Sequence, residues 1–301
     1  MDSNAISTFQ KHITAPILSV KRMESEAMNI VYRVDTEDGL FIFKRYTSGW
    51  PEPGKVPYVE SKLTEYGIPH AELMFYHRDE DEYTNSYLIE RFLPGTPADL
   101  MTMTIDDDRA MYAKLAKFMS RVHTIPQTGY GYLGAGDAEC QSFSEFAIWD
   151  DIYDNLRGTV YPESALSALM LKFGEALKSC DILPSTICHI DLDKKNIILD
   201  GENLILIDWD SAYALPWVCD VALLKLILHW RYSDDTAIEL LQVFLDNYTP
   251  PYGDLEIYLA HEKILYAWFA LMMVNSVVGK PDYEKRLCMF QSALAALGWE
   301  L

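Results

Sequence analysis

The sequence predicts an α+β chain, with a small antiparallel β lobe at the N-terminus and a large, mainly helical lobe after it. Three observations carry this. Up to residue 92 the apolar residues come in short β-branched and aromatic runs separated by turn signals. Beyond residue 105 they recur at helical spacing over long stretches. Within that helical part stands one hairpin, around Ile197–Ile207, with polar residues gathered at its open end.

Leu18–Met23, Ile30–Asp35 and Leu40–Tyr46 are predicted strands, the last two joined by the turn Thr36-Glu37-Asp38-Gly39. Lys44 lies on the third, with Arg45 pointing to the opposite face. After a Pro-rich link, Pro57 suits the first turn of a helix that Gly67 ends, with Val56, Val59, Leu63 and Tyr66 on one face. Ala71–Tyr76 and Ser86–Phe92 form two more strands around an acidic turn. Asp106 is a candidate cap for a helix carrying Met111, Leu115, Phe118, Met119 and Val122 on one stripe. Phe143–Leu156, Glu163–Leu177, a helix opened by Asp220, then Thr236–Tyr248, Leu255–Val278 and Tyr283–Leu297 complete the helical lobe.

The hairpin carries the chemistry. Asp200-Gly201-Glu202-Asn203 is turn chemistry between two apolar runs, so Leu199 should face Leu204, Ile198 Ile205 and Ile197 Leu206. That register sets Asn196 and Asp208 nearly side by side at the open end, with Asp191 five residues upstream of Asn196. Carboxylates and a carboxamide converging there suit a hard cation that takes oxygen ligands.

His189-x-Asp191-x-x-x-x-Asn196, followed by Ile207-Asp208-Trp209-Asp210, resembles the catalytic core of the aminoglycoside phosphotransferase and choline kinase family. The resemblance implies a protein-kinase-like bilobal fold, divided into a nucleotide-binding lobe, residues 1–93, and a catalytic and substrate-binding lobe, residues 94–301. It implies Asp191 as the catalytic base, Asn196 and Asp208 as Mg²⁺ ligands, and Lys44 on the nucleotide phosphates. Glu60 is implied as the partner of Lys44, with Glu65 as the alternative. Asn29-x-x-Tyr32-x-Val34 is similar to the family's run into the second strand, so the turn before it, with Ser25 and Asn29, would cover the phosphates. That turn has no glycine and holds Glu24 and Glu26. Tyr87–Gly95 resembles the hinge that meets the purine, which brings in Glu90 and Phe92. Backbone recognition leaves ATP and GTP both open. His189 is implied to lock the catalytic loop, Asp220 to brace it, and His123 to be structural. Asp193 stands where relatives place a cation, with Lys194 and Lys195 as the nearest replacements.

The implied activity is transfer of the γ-phosphate of ATP or GTP to a hydroxyl group, on an aminoglycoside or a similar amino compound. Choline, homoserine and other metabolite kinases share the core, as do non-catalytic relatives such as some spore-coat proteins. A polycationic acceptor would need clustered acids, for which Asp191, Asp210, the group Asp150, Asp151 and Asp154, or the pair Asp234 and Asp235 are candidates. A formal net charge of −20 disfavours nucleic acid and anionic membrane as partners and accommodates a cationic small molecule. Five scattered cysteines without CxxC spacing suit a reducing compartment, and no signal-peptide pattern opens the chain. The longest unbroken apolar run, Ile264–Val274, is too short to span a bilayer. Together these predict a cytoplasmic protein.

Overall fold

Period-two alternation builds the first unit. The computed structural model describes residues 3–23, 29–134, 138, 140–148, 163–275 and 282–299. Strands β1 (Ile17–Arg22), β2 (Ile30–Thr36), β3 (Gly39–Arg45), β4 (Leu73–His77) and β5 (Tyr87–Arg91) form an antiparallel sheet in the order β1-β2-β3-β5-β4. One face carries Phe41, Phe43, Tyr87 and Ile89, packed with Tyr32 and Val34 against Ala5 and Phe9. Those last two come from helix α1 (Ser3–Gln10), which the sequence pattern did not predict. The other face carries Leu88, packed with Tyr46 and with Val56 of helix α2 (Lys55–Glu65). Lys44 pairs with Leu88 in the β3–β5 register, so its side chain belongs to this second face. Helix α2 begins two residues before Pro57. Gly54 caps it with φ 81°, a left-handed conformation suited to glycine.

The hairpin has the predicted register. Strands β9 (Ile197–Asp200) and β10 (Asn203–Leu206) pair Leu199 with Leu204, Ile198 with Ile205 and Ile197 with Leu206. Thr96–Pro97, strand β6, adds to the β9 edge. Gly95 permits that approach: it has φ +117°, and a Cβ there would stand 2.5 Å from the Leu199 carbonyl oxygen. These contacts group Ile197–Asp210 and Leu133–Gly136 with Met1–Met101 as one compact unit. This grouping differs from the sequence division at 93/94. The chain's hairpin belongs with the N-terminal unit because its edge is completed by residues just past the first sheet.

The second unit comprises Thr102–Tyr132, Asp137–Asn196 and Ser211–Leu301. Helix α3 (Ile105–Val122) opens two residues earlier than predicted, because Thr104 and Asp107 form a reciprocal capping box. Strands β7 (Gly131–Tyr132), β8 (Ser185–Cys188) and β11 (Tyr213–Pro216) make a small sheet in the order β7-β11-β8. The remaining helices are α4 (Phe143–Ala147), α5 (Glu163–Leu177), α6 (Val218–Arg231), α7 (Asp234–Asn247), α8 (Leu255–Asn275) and α9 (Tyr283–Ala296). The predicted continuation of α4 to Leu156 lies outside the described residues from 149 onward. Helix α8 alone among the described helices has the length and apolarity to cross a membrane, and more than half of that stretch is buried within the protein. His261, Glu262 and Lys263 interrupt its apolar run without interrupting the helix, so it is longer than the run suggests.

Candidate functional site

Two constellations emerge, one in each unit. In the first, Lys44 Nζ donates to Asp208 Oδ1 at 2.6 Å and to Asp210 Oδ2 at 2.5 Å. Burial alone would lower the ammonium's pKa, but the two carboxylates outweigh it and hold the pKa above the ordinary lysine range. Burial raises the Asp210 carboxyl, with Lys44 opposing and Asp208 adding to the rise. Its Oδ1 accepts from the Tyr46 hydroxyl at 3.3 Å. The aspartates differ in access: the Asp208 side chain is 39% exposed, that of Asp210 only 8%. Asp208 also has φ +65°, a left-handed conformation uncommon outside glycine.

Glu60 does not partner Lys44. A register shift between Leu73 and Phe75 takes the Leu73 N–H out of regular pairing, and Glu60 Oε2 accepts it at 3.0 Å. Glu60 also hydrogen-bonds Glu90, and burial, followed by the Glu90 charge, pushes its carboxyl up to about 9. The Glu90 carboxyl is pushed up to about 7 by burial, with Lys44 opposing. A protonated Glu60 beside Glu90 thus replaces the expected lysine–glutamate pair, and the physical reason is that two aspartates already neutralise Lys44. Glu65, the alternative, is spent on Lys62 at 2.8 Å.

Glu90 enters this constellation through its side chain rather than as the backbone group expected of a hinge. The Phe92 N–H donates to the Leu40 carbonyl at 3.0 Å and the Arg91 N–H to Glu72 at 2.9 Å. Both donors are therefore held within the sheet. Asn29 buries its Oδ1 with no hydrogen-bond partner among the described residues. Ser25 lies outside the described residues, as does the rest of the turn Glu24–Met28.

Nothing in the sequence pattern singles out Lys55. It is fully buried at the start of α2, ion-paired with Glu52 at 2.5 Å and placed over the Trp50 ring at 3.9 Å. Its Nζ donates to the Asp210 carbonyl oxygen at 3.3 Å. Only tertiary structure brings together residues 155 positions apart.

The second constellation is the loop from His189 to Asn196. Asp220, in the first turn of α6, accepts the His189 N–H on Oδ2 at 2.9 Å and the Ile190 N–H on Oδ1 at 2.8 Å. His123 Nε2 lies 2.9 Å from the same Oδ2, and its Nδ1 lies 2.6 Å from the Tyr248 hydroxyl. His123 and Asp220 are buried side chains that fix the loop, as expected of them. Ile190 has φ +57°, a strained conformation for a β-branched residue. Asp191 follows it, 27% exposed, with Lys195 Nζ 2.9 Å away. Asn196 Nδ2 donates to the Asp191 carbonyl at 2.9 Å, which turns the amide oxygen away from that bond.

Asp193, at the position where a cation was sought, is ion-paired with Arg231 through two hydrogen bonds. Lys194 pairs with Asp108, which also accepts from the Tyr232 hydroxyl at 2.8 Å. Lys194 is thereby structural, and Lys195 is the cation beside Asp191. Of the acids considered for a polycation, Asp210 is buried on Lys44. Asp234 lies 3.0 Å from His229 Nδ1, and Asp150, Asp151 and Asp154 fall outside the described residues. His123, Cys188 and Asp220 bring their polar atoms within 4.8 Å of one another. Burial raises the Cys188 thiol, whose sulfur donates to the Leu215 carbonyl at 3.3 Å, so this group is a packed network rather than a thiolate metal site.

Comparison with known proteins agrees with this geometry. Protein LicA of Haemophilus influenzae is 28% identical over 125 residues, 40% of this chain and 45% of that protein. A second LicA sequence is matched over 35% of its length, so the chain spans less than half of these curated relatives. The solved aminoglycoside phosphotransferase APH(4)-Ia has a TM-score of 0.68 at 14% identity, covering 98% of this chain and 99% of that one. A choline/ethanolamine kinase family protein from Mesorhizobium loti has a TM-score of 0.57 at 18% identity, covering 94% and 88%. These structural likenesses establish the kinase-like fold. The sequence profile of the phosphotransferase enzyme family matches residues 19–258, most of the chain and both constellations, and the chain belongs to that family.

Proposed function

We propose that this protein transfers the γ-phosphate of ATP or GTP to a hydroxyl group of a small amino compound, an aminoglycoside being the leading class. The observation that carries the reading is the Lys44–Asp208 ion pair, which couples a buried ammonium to a partly exposed carboxylate. Lys44 would bind nucleotide phosphate oxygens, drawing charge that the aspartates now balance. Asp208 and Asn196 would be the protein ligands of magnesium, and an all-oxygen donor set fits that ion. Bound magnesium would neutralise negative charge on the phosphates. Asp191 would orient the acceptor hydroxyl and take its proton. In a thermostable mutant of APH(4)-Ia the solved complex holds ADP and hygromycin B, which makes a nucleotide and a sugar-like acceptor a reasonable pair to test here.

One observation favours a second acceptor class. Asp210, one of the acids considered for a polycation, is buried on Lys44 and withdrawn from such a role. A single-amine alcohol such as choline or ethanolamine needs fewer acids. A phosphorylation screen over aminoglycosides, choline, ethanolamine and amino alcohols, with ATP and GTP in parallel, tests both. Magnesium-dependent transfer to an aminoglycoside is the expected result. Transfer to choline alone selects the second reading. An absence of any magnesium-dependent nucleotide binding refutes both and leaves a non-catalytic protein.

A further inference from the structure

Helix α2 reaches the Asp208–Asp210 segment through a residue other than the expected one. Glu60 is held by Leu73 and Glu90, whereas Lys55, one and a half turns earlier, donates to the Asp210 carbonyl. We propose that Lys55 is a positioning residue for the phosphate- and metal-binding pair Lys44 and Asp208, holding their segment through the Asp210 backbone. The proposal rests on the phosphotransferase reading of that pair.

Burying an ammonium is unfavourable, and an apolar side chain would fill the same space without that cost. Here the charge is retained with compensations that include the Glu52 carboxylate at 2.5 Å, the Trp50 ring at 3.9 Å and the Asp210 carbonyl at 3.3 Å. Glu52 and Trp50 anchor the ammonium locally, and the bond to Asp210 is its long-range reach. Asp210 is consequently held at both ends, its carbonyl by Lys55 and its carboxylate by Lys44. Two residues upstream Asp208 occupies a left-handed conformation that the segment must hold against relaxation. Trp209 Nε1 contributes a further bond to the Leu206 carbonyl, at 3.3 Å. With the Lys55 bond removed, the Asp210 carbonyl loses a fixed position and Asp208 loses part of its constraint.

Lys55→Met tests this, with Lys62→Met as the control, since Lys62 lies on the same helix and, among the described charged groups, pairs with Glu65. Amide hydrogen exchange is measured first on the nucleotide-free protein. Exchange at residues 207–210 should accelerate at least tenfold in Lys55→Met, remain unchanged in Lys62→Met, and leave the β2–β3 amides unaffected. Next, the magnesium-dependent part of the thermal shift given by ADP should fall by more than half in Lys55→Met. Unchanged exchange at 207–210, equal acceleration in β2–β3, or an intact magnesium-dependent shift would each overturn the proposal. If the wild-type protein shows no shift with magnesium and ADP, the phosphotransferase reading fails, and the exchange comparison still decides whether Lys55 fixes the segment. Should Lys55→Met not fold, Lys55→Gln is read by the same two measurements with the same criteria.

Discussion

Replacing Glu60 with glutamine removes a titrating proton from the first unit while keeping the shape of the side chain. In the folded protein, burial and then Glu90 push the Glu60 carboxyl up to about 9, against an ordinary value of 4.5. Between those limits the folded state holds a proton that the unfolded chain has released. Stability therefore falls as pH rises, by about 1.4 kcal/mol per pH unit. Over pH 6 to 8 Glu60 alone contributes a loss of roughly 3 kcal/mol on that slope. Glu90, pushed up to about 7 by burial with Lys44 opposing, adds a loss of the same sign over the lower part of the window. Lys44 contributes no slope here. Its pKa is raised, so its stabilisation is fully present below the unfolded value of 10.5.

Glutamine at position 60 offers an oxygen to the Leu73 N–H and an amide N–H to Glu90, so both hydrogen bonds survive without a proton to lose. Urea unfolding at pH 6, 7 and 8 should show the wild-type protein losing stability across the series. Glu60→Gln should lose less, and at pH 8 it should exceed the wild type by roughly 1–3 kcal/mol. The opposite outcome is informative. If Glu60 were the charged partner of Lys44, its carboxyl would be held down and would add no slope across this range; the wild type and Glu60→Gln would then lose stability in parallel, with Glu60→Gln the weaker protein at every pH. That pattern would refute the carboxyl–carboxylate pair.

Three further outcomes follow from the two constellations. Asp191→Asn should keep the fold and nucleotide affinity but lower turnover by roughly 100-fold or more, the scale of losing a positioned base; near-normal single-turnover phosphorylation would contradict its role. Asp208→Ala should abolish the magnesium-dependent part of nucleotide stabilisation, while Asn196→Ala should weaken it less because a neutral ligand attracts the ion less; equal thermal shifts in both variants and the wild type would contradict the ligand assignment. Asp220→Ala leaves the His189 and Ile190 N–H groups and His123 Nε2 without their acceptor, so unfolding free energy should drop by at least about 3 kcal/mol. A loss under about 1 kcal/mol in urea would show that water or another group replaces the carboxylate.

The parts legible in the sequence were those set by local chemistry. The hairpin could be paired residue by residue because alternation and a four-residue turn leave one register that keeps apolar side chains together. Lys44 on its strand, Asp220 opening α6 and His123 past the end of α3 were likewise visible from spacing. What was missed depends on long-range competition. Glu60 has the right place on its helix, but an irregular β4 offers its carboxylate a backbone N–H, and two aspartates far along the chain occupy Lys44. Lys55 looks like an ordinary lysine after a Pro-rich link, and only its burial beside Trp50 and Asp210 reveals otherwise. Helix α1 is short and polar in composition, so its two buried residues, Ala5 and Phe9, gave too weak a periodic signal.

Only two non-glycine residues among those described have positive φ, and they flank the proposed chemistry: Ile190 immediately precedes Asp191, and Asp208 is itself the proposed metal ligand. Such conformations cost about 1–3 kcal/mol each and persist only where surrounding structure overdetermines them. Each is held by a buried ionisable side chain from a helix. Asp220 of α6 grips the N–H groups of His189 and Ile190, and Lys55 of α2 grips the Asp210 carbonyl two residues past Asp208. In both cases the ionisable group bonds to backbone, where its effect is to fix chain direction rather than to bind a ligand. An apolar residue would pack at either position but could not hold a backbone group in a strained turn. Helices α2 and α6 thus do more than pack: each sends one buried ionisable side chain to the segment that must not relax. Strain at Ile190 and at Asp208 should therefore respond separately to Asp220→Ala and Lys55→Met, because different bonds hold each one.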